Sequence, residues 1–146
     1  MSTMPGTRRG QESLLPSLTY EMGLWADGFR TVAGLDEAGR GAWAGPVVAA
    51  AVILPPDRPE LAQYLSGVRD SKTLTAKRRE ELLDVIEQHA LAWGVGAVPP
   101  GEIDAGGIVP ATRGAMSLAL QALSSPADHL LIDHVSLPEL PLPQLS

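Results

Sequence analysis

In some stretches of the chain the apolar positions follow the pattern of β-strands, and in others they recur with a helical period. The second of the strand-like stretches is apolar at every position, as expected for a strand that is buried on both faces. The third alternates, with Trp93, Val95 and Ala97 on one side and glycines on the other. The predicted strands cover residues 31–35, 47–54, 91–98 and 130–133.

We predict three helices, over residues 18–29, 76–89 and 108–123, and the apolar positions of the last two recur with a helical period. Thr75 stands where an N-cap is needed for the second of them, and Pro110 falls in the first turn of the third, where proline is tolerated. The polar, aperiodic residues 1–17 are predicted to be a flexible tail, and the proline-rich residues 134–146 an extended loop. Residues 18–146 are therefore expected to form one domain.

The order of these elements predicts a mixed α/β sheet with flanking helices. The last helix and strand form a crossover unit, which would place the final strand parallel to a neighbour. If that neighbour is the first strand, Asp133 lies beside Asp36 at the carboxyl ends of the two strands. Open α/β sheets usually carry their sites at such ends.

Bulk properties narrow the class of protein. The chain has 146 residues, of which 45% are hydrophobic and 19% are charged, as in one ordinary globular domain. It has no cysteine, which excludes disulfides and thiolate metal sites, and we expect a cytoplasmic protein. The formal charge of −6 is unfavourable for binding nucleic acid. However, five of the eleven basic residues lie between Val68 and Glu80, and this clustering weakens the objection to nucleic-acid binding.

The residue types around Asp36 and Glu37 suggest chemistry on a phosphodiester. Neighbouring side chains of a strand point to opposite faces, so the two carboxylates could share one ion only if the strand ends there. Gly39 and Gly41 would permit such a bend and a close approach of a ligand to the backbone, and Arg40 adds a cation between them. A solvated loop is the alternative reading of these residues alone.

Residues 34–54, with the sequence GLDEAGRGAWAGPVVAAAVIL, resemble the opening motif of bacterial ribonuclease HII. The similarity continues in DSKTLT at residues 70–75, in the helical block at residues 102–116 and in LID at residues 131–133. It also includes the proline-rich segment that follows, and so covers about residues 18–144. The resemblance implies a ribonuclease H-like mixed sheet.

It further implies an endoribonuclease that cuts the RNA strand of RNA–DNA hybrids, and ribonucleotides embedded in DNA, by two-metal-ion catalysis. Products would carry 3′-hydroxyl and 5′-phosphate ends. The family positions that bind the catalytic Mn²⁺ or Mg²⁺ correspond here to Asp36, Glu37 and Asp133. We also expect a monomer that does not enter a membrane. The positions that contact substrate in the family correspond to Gly39, Arg40, Gly41, Ser71 and Lys72.

The sequence departs from the family pattern in two places, at His134, where the family usually has glycine, and at Gly107, where it usually has asparagine. The family's fourth carboxylate belongs to a later segment, so residues 18–146 correspond to about the first two-thirds of the family domain. We therefore expect this polypeptide to be weakly active or inactive. One alternative is a remnant that only binds hybrid or metal. Another is a phosphate-binding module, although the spacing of Gly39, Gly41 and Gly45 is one residue longer than G-x-G-x-x-G.

Overall fold

The computed structural model describes residues 18–38, 45–64, 75–132 and 135–145, so the predicted tail lies outside the described residues. Their strands form one five-stranded sheet in the order β3-β2-β1-β4-β5. The strands are β1 (Val32–Ala38), β2 (Val47–Ile53), β3 (Ala92–Val98), β4 (His129–Ile132) and β5 (Gln144–Leu145). The helices are α1 (Thr19–Ala26), α2 (Leu61–Tyr64), α3 (Ala76–His89), α4 (Pro100–Gly106) and α5 (Ile108–Gln121).

The sheet is mixed, as the order of elements predicted. β1 is its central strand and pairs antiparallel with β2 and parallel with β4. β2 pairs antiparallel with β3, and β4 pairs parallel with the short β5. The last predicted strand therefore does lie beside the first one, because the helical segment before it carries the chain across the sheet.

One face of the sheet is covered by α5, which packs across β3, β2 and β1. The approach is close because β3 presents glycine to the helix: a Cβ placed on Gly94 would stand 2.4 Å from the carbonyl oxygen of Ala119. Small residues on the helix complete the fit, since Ala115 and Ala119 are fully buried. The main core thus forms between α5 and the alternate positions of the three strands.

The opposite face carries a smaller apolar cluster near the start of β1. Leu18 and Trp25 of the α1 region pack there with Val32 and with Leu61 of α2. His129 of β4 is also buried, and its ring meets that of Phe29 edge-on at a centroid distance of 4.7 Å. This cluster covers only part of the face. The alternate residues Trp93 and Val95 of β3 remain about half exposed.

The predicted strands and long helices are confirmed, with small shifts at their ends. Thr75 caps α3 as expected, since its Oγ1 accepts a hydrogen bond from the amide of Arg78 at 3.1 Å. Gly107 has φ 93° and ψ 168° between α4 and α5, a conformation that is essentially restricted to glycine. The short elements α2, α4 and β5 were not predicted. None of the described helices has the length and apolar character needed to cross a membrane.

Candidate metal centre at the ends of β1 and β4

The parallel pairing of β1 with β4 sets the geometry of the candidate site. The first residue pair of this ladder is Val32 with His129, and the last is Leu35 with Ile132. The residue that follows Leu35 is Asp36, and the residue that follows Ile132 is Asp133. The ladder therefore ends one residue before a carboxylate in each strand. Asp133 itself lies outside the described residues, so its distance from Asp36 remains a prediction.

The sequence predicts that the first strand ends at residue 35, before the two carboxylates. In the structure β1 continues through both of them to Ala38. The reason is β2, which pairs with this part of β1: Asp36 is the partner of Ala50 and Glu37 is the partner of Ala49. Ala49 is buried on the α5 side, whereas Ala50 is exposed. Because paired residues of neighbouring strands share a face, Asp36 and Glu37 project to opposite faces of the sheet.

The Asp36 carboxylate is held by the backbone beside it. Its Oδ1 accepts a hydrogen bond from the amide of Glu37 at 2.8 Å. The side chain is exposed, and among the described residues nothing donates to its second oxygen. Glu37 is half-buried. The described residues contain no group of three side chains that could hold a metal ion; hence any such group must include residues beyond them.

The chain on either side of residues 133–134 is firmly packed. Before them, Ile132 is buried and paired with Leu35. After them, Val135 is buried, and the Nε of Arg113 on α5 donates to the carbonyl oxygen of Ser136 at 3.1 Å. The connection between β4 and the proline-rich segment is therefore anchored at both ends.

A side-chain clamp shapes the proline-rich segment that follows. Oε1 of Gln144 accepts from the amide of Leu137 at 2.9 Å, and Nε2 of Gln144 donates to the carbonyl oxygen of the same residue at 2.6 Å. The Gln144 side chain thus bonds to both backbone polar groups of Leu137. The backbone of Gln144 pairs with Leu130 at the edge of β4, where β5 begins. The three prolines of this stretch predict an extended loop, and the structure adds the short strand β5 at its end.

Of the residues predicted to act at the site, the structure describes Asp36 and Glu37 alone. Asp128, which the sequence does not single out, joins the starts of β1 and β4 through its carboxylate. An aspartate before a strand is an ordinary turn residue, and no sequence signal set it apart. The other predicted site residues lie outside the described part of the chain: Gly39, Arg40, Gly41, Ser71, Lys72 and Asp133.

Comparison with known proteins identifies the family. The sequence profile of ribonuclease HII matches residues 33–144. The chain belongs to the ribonuclease HII family. It is 55% identical over 129 residues to ribonuclease HII of Roseiflexus castenholzii, a match that covers 88% of this chain and 58% of that protein. It is 54% identical over 131 residues to that of Chloroflexus aurantiacus, with 90% of this chain and 62% of the relative covered.

Solved ribonuclease HII structures share the fold. Ribonuclease H2 from Pyrococcus horikoshii OT3 superposes with a TM-score of 0.61 at 28% identity, over 73% of this chain and 52% of that one. The PCNA:RNase HII complex from Archaeoglobus fulgidus gives a TM-score of 0.56 at 30% identity, over 70% and 50% of the two chains. The ribonuclease H-like mixed sheet is therefore confirmed. The chain spans about three-fifths of the length of the curated relatives above.

Proposed function

We propose that this protein is a metal-dependent endoribonuclease that hydrolyses the RNA strand of RNA–DNA hybrids and cuts at ribonucleotides embedded in duplex DNA. The observation that carries the proposal is the end of the parallel β1–β4 ladder at Leu35 and Ile132. If the ladder register continues by one residue, Asp36 and Asp133 lie on adjacent strands, which are about 4.8 Å apart, on one face of the sheet. Membership of the ribonuclease HII family supports the same chemistry.

The proposed metal ligands are Asp36, Glu37 and Asp133, and the ion is Mn²⁺ or Mg²⁺. Carboxylate oxygens are the donors that these hard cations prefer. The contacts of Asp36 fit this role, because the Glu37 amide fixes one carboxylate oxygen and leaves the other accessible. Glu37 projects from the other face of β1, so its side chain would have to reach past the backbone of the strand to bind an ion beside Asp36. A bound pair of such ions stabilises the attacking and leaving oxygens of a phosphodiester.

Substrate contacts are proposed for residues 39–41, which follow β1 in the sequence, and for residues 71 and 72, which precede α3. Gly39, Arg40 and Gly41 come immediately after Ala38, so the reach of the chain keeps them within about 11 Å of the end of β1. Backbone amides flanked by glycine can approach a ribose closely, and the 2′-hydroxyl is the group that distinguishes RNA from DNA. Ser71 and Lys72 would contact a phosphate near the basic residues at the start of α3. These contacts would place the 2′-hydroxyl next to the carboxylates.

Calorimetric titration of the 146-residue chain with Mn²⁺ tests the proposed site. We expect saturable heat from the unsubstituted chain. Asp36→Asn and Asp133→Asn should each lower the Mn²⁺ affinity by at least about tenfold. Loss of a supporting residue outside the ligand shell already has an effect of that size, and loss of a ligand should have a larger one. Asp84→Asn is the matched control, because Asp84 is an exposed carboxylate on α3. Equal heats for Asp36→Asn and Asp84→Asn would exclude Asp36 as a ligand.

A cleavage assay tests the reaction itself. The substrates are a DNA duplex that contains a single ribonucleotide and the same duplex made only of DNA, each with Mn²⁺ and with Mg²⁺. In line with the weak activity expected from the sequence, cleavage should be slow and restricted to the first substrate, with 3′-hydroxyl and 5′-phosphate ends. Metal binding without any cleavage would favour a protein that holds metal or hybrid but does not hydrolyse it.

A further inference from the structure

Asp128 joins the amino ends of β1 and β4 through three hydrogen bonds. Its Oδ2 accepts from the amide of Arg30 at 2.8 Å, and its Oδ1 accepts from the amide of Thr31 at 3.1 Å. Its own amide donates to the carbonyl oxygen of Thr31 at 2.9 Å. The residue before β4 is thus locked to the two residues before β1, at the end of the ladder opposite to the carboxylates.

The sequence of β4 does little to fix its own register. The strand has four residues, and three of them are leucine or isoleucine: Leu130 and Ile132 belong to the core beneath α5, whereas Leu131 packs against the cluster around Trp25. A shift by one residue would exchange these apolar side chains between the two faces, so among the residues of β4 only the burial of His129 beside Phe29 discriminates between the two registers. No tight turn sets the register either, since β1 and β4 are far apart in the chain.

The register decides whether the carboxylates meet. A slip of one residue moves a side chain by about 3.3 Å along the strand and turns it to the opposite face. The neighbour of Asp36 would then be Ile132 or His134 in place of Asp133.

We propose that Asp128 is a positioning residue for the metal centre: its bonds to the backbone of Arg30 and Thr31 fix the β1–β4 register that, continued by one residue, would align Asp36 with Asp133. The inference rests on the function proposed above, because it concerns the same pair of carboxylates. It adds a residue at the far end of the ladder that touches neither metal nor substrate.

Arg30 supplies a control from the same network. Its side chain pairs with Asp57 and donates from Nη2 to the carbonyl oxygen of Trp25 at 2.9 Å. Asp57→Asn disturbs that ion pair and leaves the bonds between Asp128 and the backbone intact. The positive φ of 61° at Asp57 is one that asparagine tolerates well.

The test compares Asp128→Ala, Asp128→Asn and Asp57→Asn in the 146-residue chain. The first readout is Mn²⁺ affinity by calorimetry under conditions where each variant is fully folded. The second readout is measured without metal. It is the set of nuclear Overhauser contacts between the amides of β1 and those of β4, and it reports the register of the two strands directly. Thermal unfolding measures the stability of each variant.

Asp128→Ala should lower Mn²⁺ affinity about tenfold, as loss of a supporting residue outside the ligand shell typically does, and should weaken or shift the β1–β4 contacts. Asp128→Asn keeps one acceptor oxygen and should fall between Asp128→Ala and the unsubstituted chain. Asp57→Asn should leave both readouts unchanged. Lower stability of Asp128→Ala with unchanged Mn²⁺ affinity and unchanged contacts would overturn the inference. If the unsubstituted chain releases no heat with Mn²⁺, the proposed function fails, and the contacts still decide whether Asp128 sets the register.

Discussion

Gly96 of β3 lies directly beneath Ala115 of α5. A Cβ placed on Gly96 would stand 2.3 Å from the carbonyl oxygen of Ala115 and 2.6 Å from the amide nitrogen of Ala119. Both are backbone atoms of a long helix, and the third close atom, Cβ of Leu118 at 2.5 Å, is bonded directly to that backbone. The far end of a flexible side chain is therefore not what stands in the way. The helix therefore rests on the backbone of the edge strand, and this contact sets the depth of the main core.

The first prediction concerns this contact. Gly96→Ala should lower the free energy of unfolding by about 1–3 kcal/mol or more, the usual cost of overpacking a core, as measured by urea denaturation. Gly23→Ala is the matched control, because Gly23 lies in α1 with open space around its Cα. There the same change should raise stability by roughly 0.5–1 kcal/mol, since alanine favours a helix over glycine. Similar effects of the two substitutions would show that α5 does not press on β3.

The N-cap of α3 gives the second prediction. Thr75→Ala removes the oxygen that accepts from the Arg78 amide and should cost about 1 kcal/mol, as N-cap deletions typically do. Hydrogen exchange of the amides in the first turn of α3 measures the loss where it occurs. Thr75→Ser keeps a hydroxyl and should exchange like the unsubstituted chain. Unchanged exchange in Thr75→Ala would mean that the cap contributes nothing to the helix.

The third prediction concerns Glu21 of α1, whose pKa is raised by burial of the carboxyl, with a smaller opposing effect from a backbone hydrogen bond. A raised folded-state pKa means that folding favours the protonated form. The resulting stability is fully present below the unfolded pKa and is lost as pH rises through the folded one. Glu21→Gln should therefore stabilise the protein at neutral pH and lose this advantage in acid, as followed by thermal unfolding at several pH values.

Asp57 supplies the control of opposite sign. The hydrogen bond from Arg30 lowers the pKa of Asp57 below its ordinary value, so its contribution is present at neutral pH and is lost as pH falls through the folded pKa. Asp57→Asn should destabilise the protein slightly at neutral pH and not in acid. If Glu21→Gln and Asp57→Asn show the same pH trend, burial is not the cause of the Glu21 shift.

The fourth prediction concerns the exposed side of β3. This strand forms one edge of the sheet built by the described residues, and its Trp93 and Val95 are about half exposed. Apolar edge strands without charge promote pairing between chains. Val95→Lys should therefore reduce self-association at high protein concentration, measured by sedimentation velocity. Val109→Lys adds the same charge at an exposed position of α5 and should have little effect. Equal reduction by both would point to net charge instead of the edge.

The sequence by itself determined the elements whose cause is local. The continuous apolar run of β2, the Thr75 cap of α3 and the helical spacing of α5 follow from neighbouring residues, and the structure confirms each of them. The motif at residues 34–54 was sufficient to indicate the family, because about twenty consecutive positions match. The crossover helix also indicated that the last predicted strand runs parallel to a neighbour, and the structure identifies that neighbour as the first strand.

Only the tertiary structure decided the features that depend on a distant partner. β1 extends through Asp36 and Glu37 because β2 pairs with it there, and the local sequence had suggested an end. The alternation in β3 left open which side would be buried; close packing beneath α5 requires the glycine side and leaves Trp93 exposed. The hydrogen bonds of the Asp128 carboxylate likewise depend on backbone amides 97 and 98 residues away. Hydrogen bonds and packing between remote segments leave no periodic signal in the sequence, and the proposed metal centre depends on the β1–β4 register that such interactions support.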